Sequence, residues 1–120
     1  MSDEEFYTRP VFHVQDVGLS IDYFCEKLGF TKGWEFNAIA QVGRNAFDLI
    51  LDADSDIPKA SVPSVISLSV GDLDALHRDI EKRGAKIVTP PFAVDWQAGI
   101  CQFDVQDLDG NVLVFWGDEA

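Results

Sequence analysis

The chain is short of the residues that most catalytic, nucleic-acid and membrane functions require. In 120 residues it has two histidines, two cysteines and one methionine, and nine lysines and arginines against 21 aspartates and glutamates. The formal charge is −12. Nucleic acid and anionic membranes are recognised through basic patches, so neither is an expected partner. No run approaches the roughly 18 apolar residues of a membrane span, and Met1-Ser2-Asp3-Glu4-Glu5 is the reverse of a basic signal-peptide start, so a cytoplasmic location is expected. Cys25 and Cys101 are not spaced for zinc, and a reducing compartment disfavours joining them. Cys25 falls at an apolar helix position and reads as a buried thiol; Cys101 falls in a strand, facing core or pocket. There is no glycine-rich phosphate loop, no Gly-x-Ser-x-Gly elbow and no aromatic–basic alternation. Asp107 to Gly110 lacks the further oxygen ligands and closing Glu of an EF-hand.

Apolar residues, in contrast, are plentiful. They make up 47% of the chain, with nine Phe and three Trp, which indicates one packed globular domain. The acidic surface keeps the protein soluble and would attract a cationic small molecule.

The sequence also repeats itself. Phe12-His-Val-Gln-Asp16-Val leads into a helical stretch ending at Leu28-Gly29-Phe30, and Leu68-Ser-Val-Gly-Asp72-Leu leads into another ending at Arg83-Gly84-Ala85. Asp16 and Asp72 are good N-caps, and Gly29 and Gly84 can take the left-handed conformation that stops a helix. Val17, Ile21, Phe24 and Leu28 recur at helical spacing, as do Leu73, Leu76 and Ile80. Strands are expected at 8–14, 31–36, 38–43, 46–52, 64–70, 85–88, 99–105 and 112–116, with Thr89-Pro90-Pro91 to Gly99 an irregular loop. The reading is α+β: two βαβββ modules in tandem, about 7–53 and 64–117, joined by a linker at about 54–63.

Val14-Gln-Asp16-Val, Ser20-Ile-Asp-Tyr-Phe24, Leu28-Gly-Phe30 and Asp107-Leu-Asp-Gly-Asn111-Val resemble the vicinal-oxygen-chelate superfamily of glyoxalase I, extradiol dioxygenases and bleomycin-resistance proteins. The resemblance spans about Thr8 to Trp116. It implies that each module curls its mixed sheet into a cup and that cups meet in a homodimer, with strand 8–14 as the candidate for exchange. Catalytic members hold a divalent metal with four inward residues. The positions carried over are Arg9, Ile50, Val65 and Val114, none of which ligates a metal, so no metal or cofactor is expected.

Pro10-Val11 before the Asp16-Val17 pair, Leu28-Gly29-Phe30, a Trp in the loop near 96 and a short acidic tail most resemble the bleomycin-resistance branch, which sequesters a flat cationic drug without turnover. This resemblance implies stacking by Trp34, after the first helix, and Trp96, in the loop before the seventh strand; core or interface packing is the alternative for both. Trp116, at the end of the last strand beside Gly117, reads as structural. Asp48 and Asp52 flank Ile50 with period two and share its face, either toward the cup or on a solvated rim. Asp54 and Asp56 continue the acidic run into the linker. His13 shares a face with Arg9 and Val11, as a hydrogen-bonding or structural residue or a base titrating near neutrality. Arg9 would repel a cation unless an acid such as Asp48 neutralises it, and would favour a carboxylate. His77 reads as surface. Three functions follow: a homodimeric protein that sequesters a flat, cationic ligand; a metal-independent lyase or isomerase using His13 and Arg9; or a non-catalytic sensor or protein-interaction module.

Overall fold

The computed structural model describes residues 4–54 and 62–119; most of the expected linker, with Asp56, lies outside them. The element order is β1 (Val11–His13), α1 (Val17–Leu28), β2 (Thr31–Phe36), β3 (Ile39–Arg44), β4 (Phe47–Asp52), β5 (Val65–Ser69), α2 (Leu73–Arg83), β6 (Lys86–Ala93), β7 (Ile100–Gln106) and β8 (Val112–Asp118). Two four-stranded mixed sheets result, ordered β1-β4-β3-β2 and β5-β8-β7-β6, with the first strand of each parallel to its neighbour. This is the tandem α+β arrangement expected.

Local signals set the helix ends. The Asp16 carboxylate accepts from the Leu19 N–H and that of Asp72 from the Ala75 N–H, both at 3.0 Å. Gly29 and Gly84 follow the helices with φ of 71° and 82°. A side chain in that region is strained, so glycine terminates both helices cleanly.

Strand alternation then fixes the core. Phe12, Val14, Ala40, Val42, Leu49 and Leu51 of the first sheet are buried, and so are Phe103, Val105, Leu113 and Phe115 of the second. All of them join Phe24, Leu28, Leu73 and Ile80 of the helices in one cluster. The helix-bearing faces of both sheets therefore turn onto a common core, and the opposite faces turn away from it. Each fully buried Leu contributes roughly 1.5–3 kcal/mol.

Polar contacts stitch the modules together. The Tyr23 hydroxyl donates to the Gln106 carbonyl at 2.7 Å and accepts from the Lys86 N–H at 3.1 Å; burial raises its pKa. Arg44 Nη1 donates to the Leu28 carbonyl and to Asp79, which also accepts from Arg83 Nε. Burial raises the Asp79 carboxyl, but the two guanidiniums outweigh it and hold its pKa below the ordinary value.

Three expectations are corrected. The β6 strand does not stop before Thr89 but runs through Pro90 and Pro91 to Ala93; an edge strand tolerates proline's missing donor, and two register shifts absorb the distortion. His77 is half-buried, its ring 5.1 Å from Phe103 and near perpendicular to it, rather than on the surface. Trp116 lies within β8, which continues to Asp118. Among the described residues, no helix is long and apolar enough to cross a membrane.

Candidate functional site

Register places the side chains on the outward faces. On the first sheet, Trp34 (β2), Gln41 (β3), Ile50 (β4) and Val11 (β1) lie opposite one another in a row. The next row is Phe36, Ile39, Asp52 and His13. Gly43 and Asp48 belong to the row on the other side, and one further step of the parallel register brings Arg9 level with Asp48.

Trp34 reaches this face through a bulge. Lys32 pairs with Val42 but Trp34 with Gln41, so Gly33 is the extra residue. Without it, Trp34 would fall on the helix-bearing face. An added Cβ on Gly33 would collide with the Gln41 side chain, which lies across the bulge. Gln41 Nε2 donates to Asp48 Oδ1 at 2.6 Å. A hollow of about 480 Å³, lined by Gly33, Gln41, Gly43 and Arg44 among others, adjoins this pair.

The residues singled out from sequence divide accordingly. Trp34, Asp48, Ile50, Asp52 and His13 share one face, with Trp34 43% exposed, Asp48 exposed, and Ile50 and Asp52 buried. Asp52 Oδ1 accepts from the Asp54 N–H at 2.8 Å. His13 Nδ1 is buried without a hydrogen-bond partner among the described residues. Arg9 is exposed just ahead of β1. Trp96 is 72% exposed in the β6–β7 loop, on the other module from Trp34. Cys25 and Cys101 are both half-buried against the core; burial, then Glu119 and Asp74, raise the Cys101 pKa.

The second sheet repeats the pattern with different chemistry. Phe92 (β6), Gln102 (β7), Trp116 (β8) and Ser69 (β5) form one row, with Thr89, Asp104, Val114 and Ser67 beside it. Buried positions bring Leu51 into equivalence with Phe115, so Asp52 corresponds to Trp116 and His13 to Ser69. Sequence reasoning missed Trp116 as an outward-facing residue. Alternation with Leu113 and Phe115 was the available signal.

The donor set does not fit a divalent metal. Ile50 stands opposite Val11, Val114 opposite Ser67, and Val65 opposite Val112. Aliphatic side chains cannot replace a cation's water shell. Among the described residues, no three His, Cys, Asp or Glu cluster.

A larger cleft of about 1240 Å³ shares Arg44 and Asn45 with the hollow beside Gln41, reaches Asp48 and runs along the seam between the modules past Tyr7, Phe47, Leu68 and Leu76. Strand β5 and the segment leading into β1 border it; among the described residues β1 and β5 each end a sheet on one side, as β2 and β6 do on the other.

The chain belongs to the glyoxalase/bleomycin resistance protein/dioxygenase superfamily, whose family model matches residues 8–115. One similar solved structure is a glyoxalase/bleomycin resistance protein/dioxygenase from Alicyclobacillus acidocaldarius, 15% identical with a TM-score of 0.79 over 100% of this chain and 96% of that one. Another is TioX from Micromonospora sp. ML1, 18% identical with a TM-score of 0.74 over 96% and 98%. A superfamily member from Sphaerobacter thermophilus is 22% identical with a TM-score of 0.76 over 95% and 98%. No curated protein matches the chain. At these identities the likeness shows the fold, and function rests on the site.

Proposed function

We propose that this protein is a non-catalytic, cytoplasmic binding protein that sequesters a flat, cationic small molecule of the bleomycin type. The observation that carries the reading is the outward face of the first sheet. There Trp34 offers an exposed ring in line with Gln41, flanked by the rows that hold Asp48 and Asp52. A ring face stacks on a planar group, and carboxylates draw a cationic tail. Trp96, exposed on the loop before β7, supplies the second stacking ring in this reading, from the rim of a neighbouring cup.

The cup is completed by a second copy. Unpaired strand edges recruit strands; β1 and β5 each end a sheet, and β5 and the segment before β1 line a largely apolar cleft. Phe6, Tyr7, Val11 and Val65 are exposed along the same border, at 93%, 87%, 43% and 64%. Pairing β1 of one chain with β5 of another, with or without exchange of the first strand, covers these residues and joins the first module's face to the second module's. Titration with metal-free bleomycin tests the reading through tryptophan fluorescence. Saturable quenching, weaker at higher salt because exposed charges are screened, is expected. No quenching at micromolar drug removes bleomycin as the ligand.

One observation favours a second reading. His13 stands opposite the buried Asp52 carboxylate and its Nδ1 has no partner among the described residues. An imidazole nitrogen without a partner is available to act as a general base, and Arg9, four residues earlier on the same face, would hold a carboxylate substrate in a metal-independent isomerase or lyase. Turnover that is lost in His13→Ala would decide for this reading.

A further inference from the structure

We infer that the outward face of the second sheet holds a slot for a flat heteroaromatic ring bearing an amino or ring N–H edge, with Phe92 and Trp116 as walls and Gln102 as floor. The inference rests on the sequestration reading and names the ligand chemistry that a second half-site selects. None of these residues was among the positions that resemblance suggested.

The three residues lie in one register row across adjacent strands, Phe92 opposite Gln102 and Gln102 opposite Trp116. Neighbouring strands are about 4.8 Å apart, so the two aromatic side chains rise from backbones roughly 9.5 Å apart. A ring sandwiched between two others needs about 7 Å between the outer planes, since carbon contacts close at 3.5–4 Å. Side chains leaning together by about 2.5 Å would close to that gap. Phe92 is 41% exposed and both Trp116 and Gln102 are half-buried, so the row is open to a ligand.

Phe92 arrives in the row through a bulge. From Thr89 to Phe92 the β6 strand advances three residues while its partner moves two, from Asp104 to Gln102. The extra residue swings Phe92 onto the outward face. An aromatic thus ends the equivalent row on each sheet, Phe36 on the first and Phe92 on the second.

The floor has a polarity. Gln102 Nε2 donates to Asp104 Oδ1 at 3.3 Å, which orients the amide and, among the described residues, leaves its carbonyl oxygen available to accept. Asp104 lies in the adjacent row with Thr89, Val114 and Ser67, and neither row contains a lysine, arginine or histidine. An N–H edge satisfies the amide oxygen, and a positive charge is favoured beside Asp104.

Proflavine, a flat cation with two amino groups, is the probe. Its binding to the full-length protein is followed by fluorescence anisotropy. Trp116→Leu and Phe92→Leu are each expected to weaken binding about tenfold, since each removes one stacked face. Because each variant leaves the other face to stack, the double variant should lose both and bind about a hundredfold more weakly than wild type. Gln102→Leu should weaken proflavine more than acridine orange, whose amino groups are methylated. Leu19→Ser, on the exposed side of α1, should change nothing. Circular dichroism checks folding, and if Trp116→Leu does not fold, Phe92→Leu on the edge strand carries the test. If wild type binds and both wall variants bind equally well, the slot is overturned, and loss in Trp34→Leu alone keeps the sequestration reading. If wild type binds bleomycin but not proflavine, the slot is again overturned. If it binds neither, both fall.

Discussion

Replacing Asn111 by Ala should cost about 3 kcal/mol of stability, far more than its place in a five-residue turn suggests. The side chain is buried and serves both modules. Its Oδ1 accepts from the Ser64 N–H at 2.9 Å, and its Nδ2 donates to the His13 carbonyl at 3.2 Å and to Asp107 Oδ2 at 3.0 Å. Alanine leaves one donor and two acceptors without their partner. Each buried orphan costs roughly 1–3 kcal/mol, reduced where water enters the vacated space, so the losses do not simply add. With a urea slope of about 1.5 kcal/mol per molar, the unfolding midpoint should fall by about 2 M. Asn111→Asp keeps the Ser64 acceptor but sets a second carboxylate against Asp107, whose pKa burial already raises against its hydrogen bonds from Asn111 and Asp109. That variant should be the worse of the two at neutral pH and recover toward alanine's level in acid, where the pair takes up a proton. A loss below 1 kcal/mol for alanine, or an aspartate deficit that does not depend on pH, would refute the reasoning.

Gly117→Ala should destabilise by about 1–3 kcal/mol, because the new Cβ would lie 2.5 Å from the Val70 backbone carbonyl, which has nowhere to move without disturbing the start of α2; thermal melts check it. Gly33→Ala should cost less, since its clash is with the movable Gln41 side chain, yet it should weaken ligand binding in the fluorescence titration by breaking the Gln41–Asp48 contact. Asp79→Asn should cost about 1 kcal/mol at neutral pH, as expected for partly exposed pairs. Because the Asp79 pKa is lowered on folding, its stabilisation is present above the ordinary carboxylate value near 3.8 and lost as pH falls through the depressed one. The difference between wild type and variant in urea titrations should therefore shrink below about pH 4.

Local chemistry made the helices legible. Asp16, Gly29, Asp72 and Gly84 each act on neighbours within a few residues, and the structure finds them where their types predict. The faces of the central strands were equally legible, since Asp48, Ile50 and Asp52 obey strict alternation. The bulges were not. At Gly33 and within β6, one extra residue changes which side chains face outward, and only pairing with the neighbouring strand reveals the shift. Trp116 was misread because the following glycine suggested a strand end, whereas Gly117 is required by the close approach of Val70. The Asp107–Asn111 turn was recognised, but its partners Gln15 and His13 lie 94 and 98 residues away in sequence. Contacts of that range leave no periodic signal.

The most direct test of ligand binding on the outward faces is an amide and indole chemical-shift titration of the isotope-labelled protein with metal-free bleomycin. The indole N–H resonances of Trp34 and Trp116, together with the side-chain amides of Gln41 and Gln102, should shift together and saturate at about one ligand per chain. Shifts confined to the seam cleft around Phe47, Leu68 and Leu76, or no shifts at all, would contradict binding on those faces.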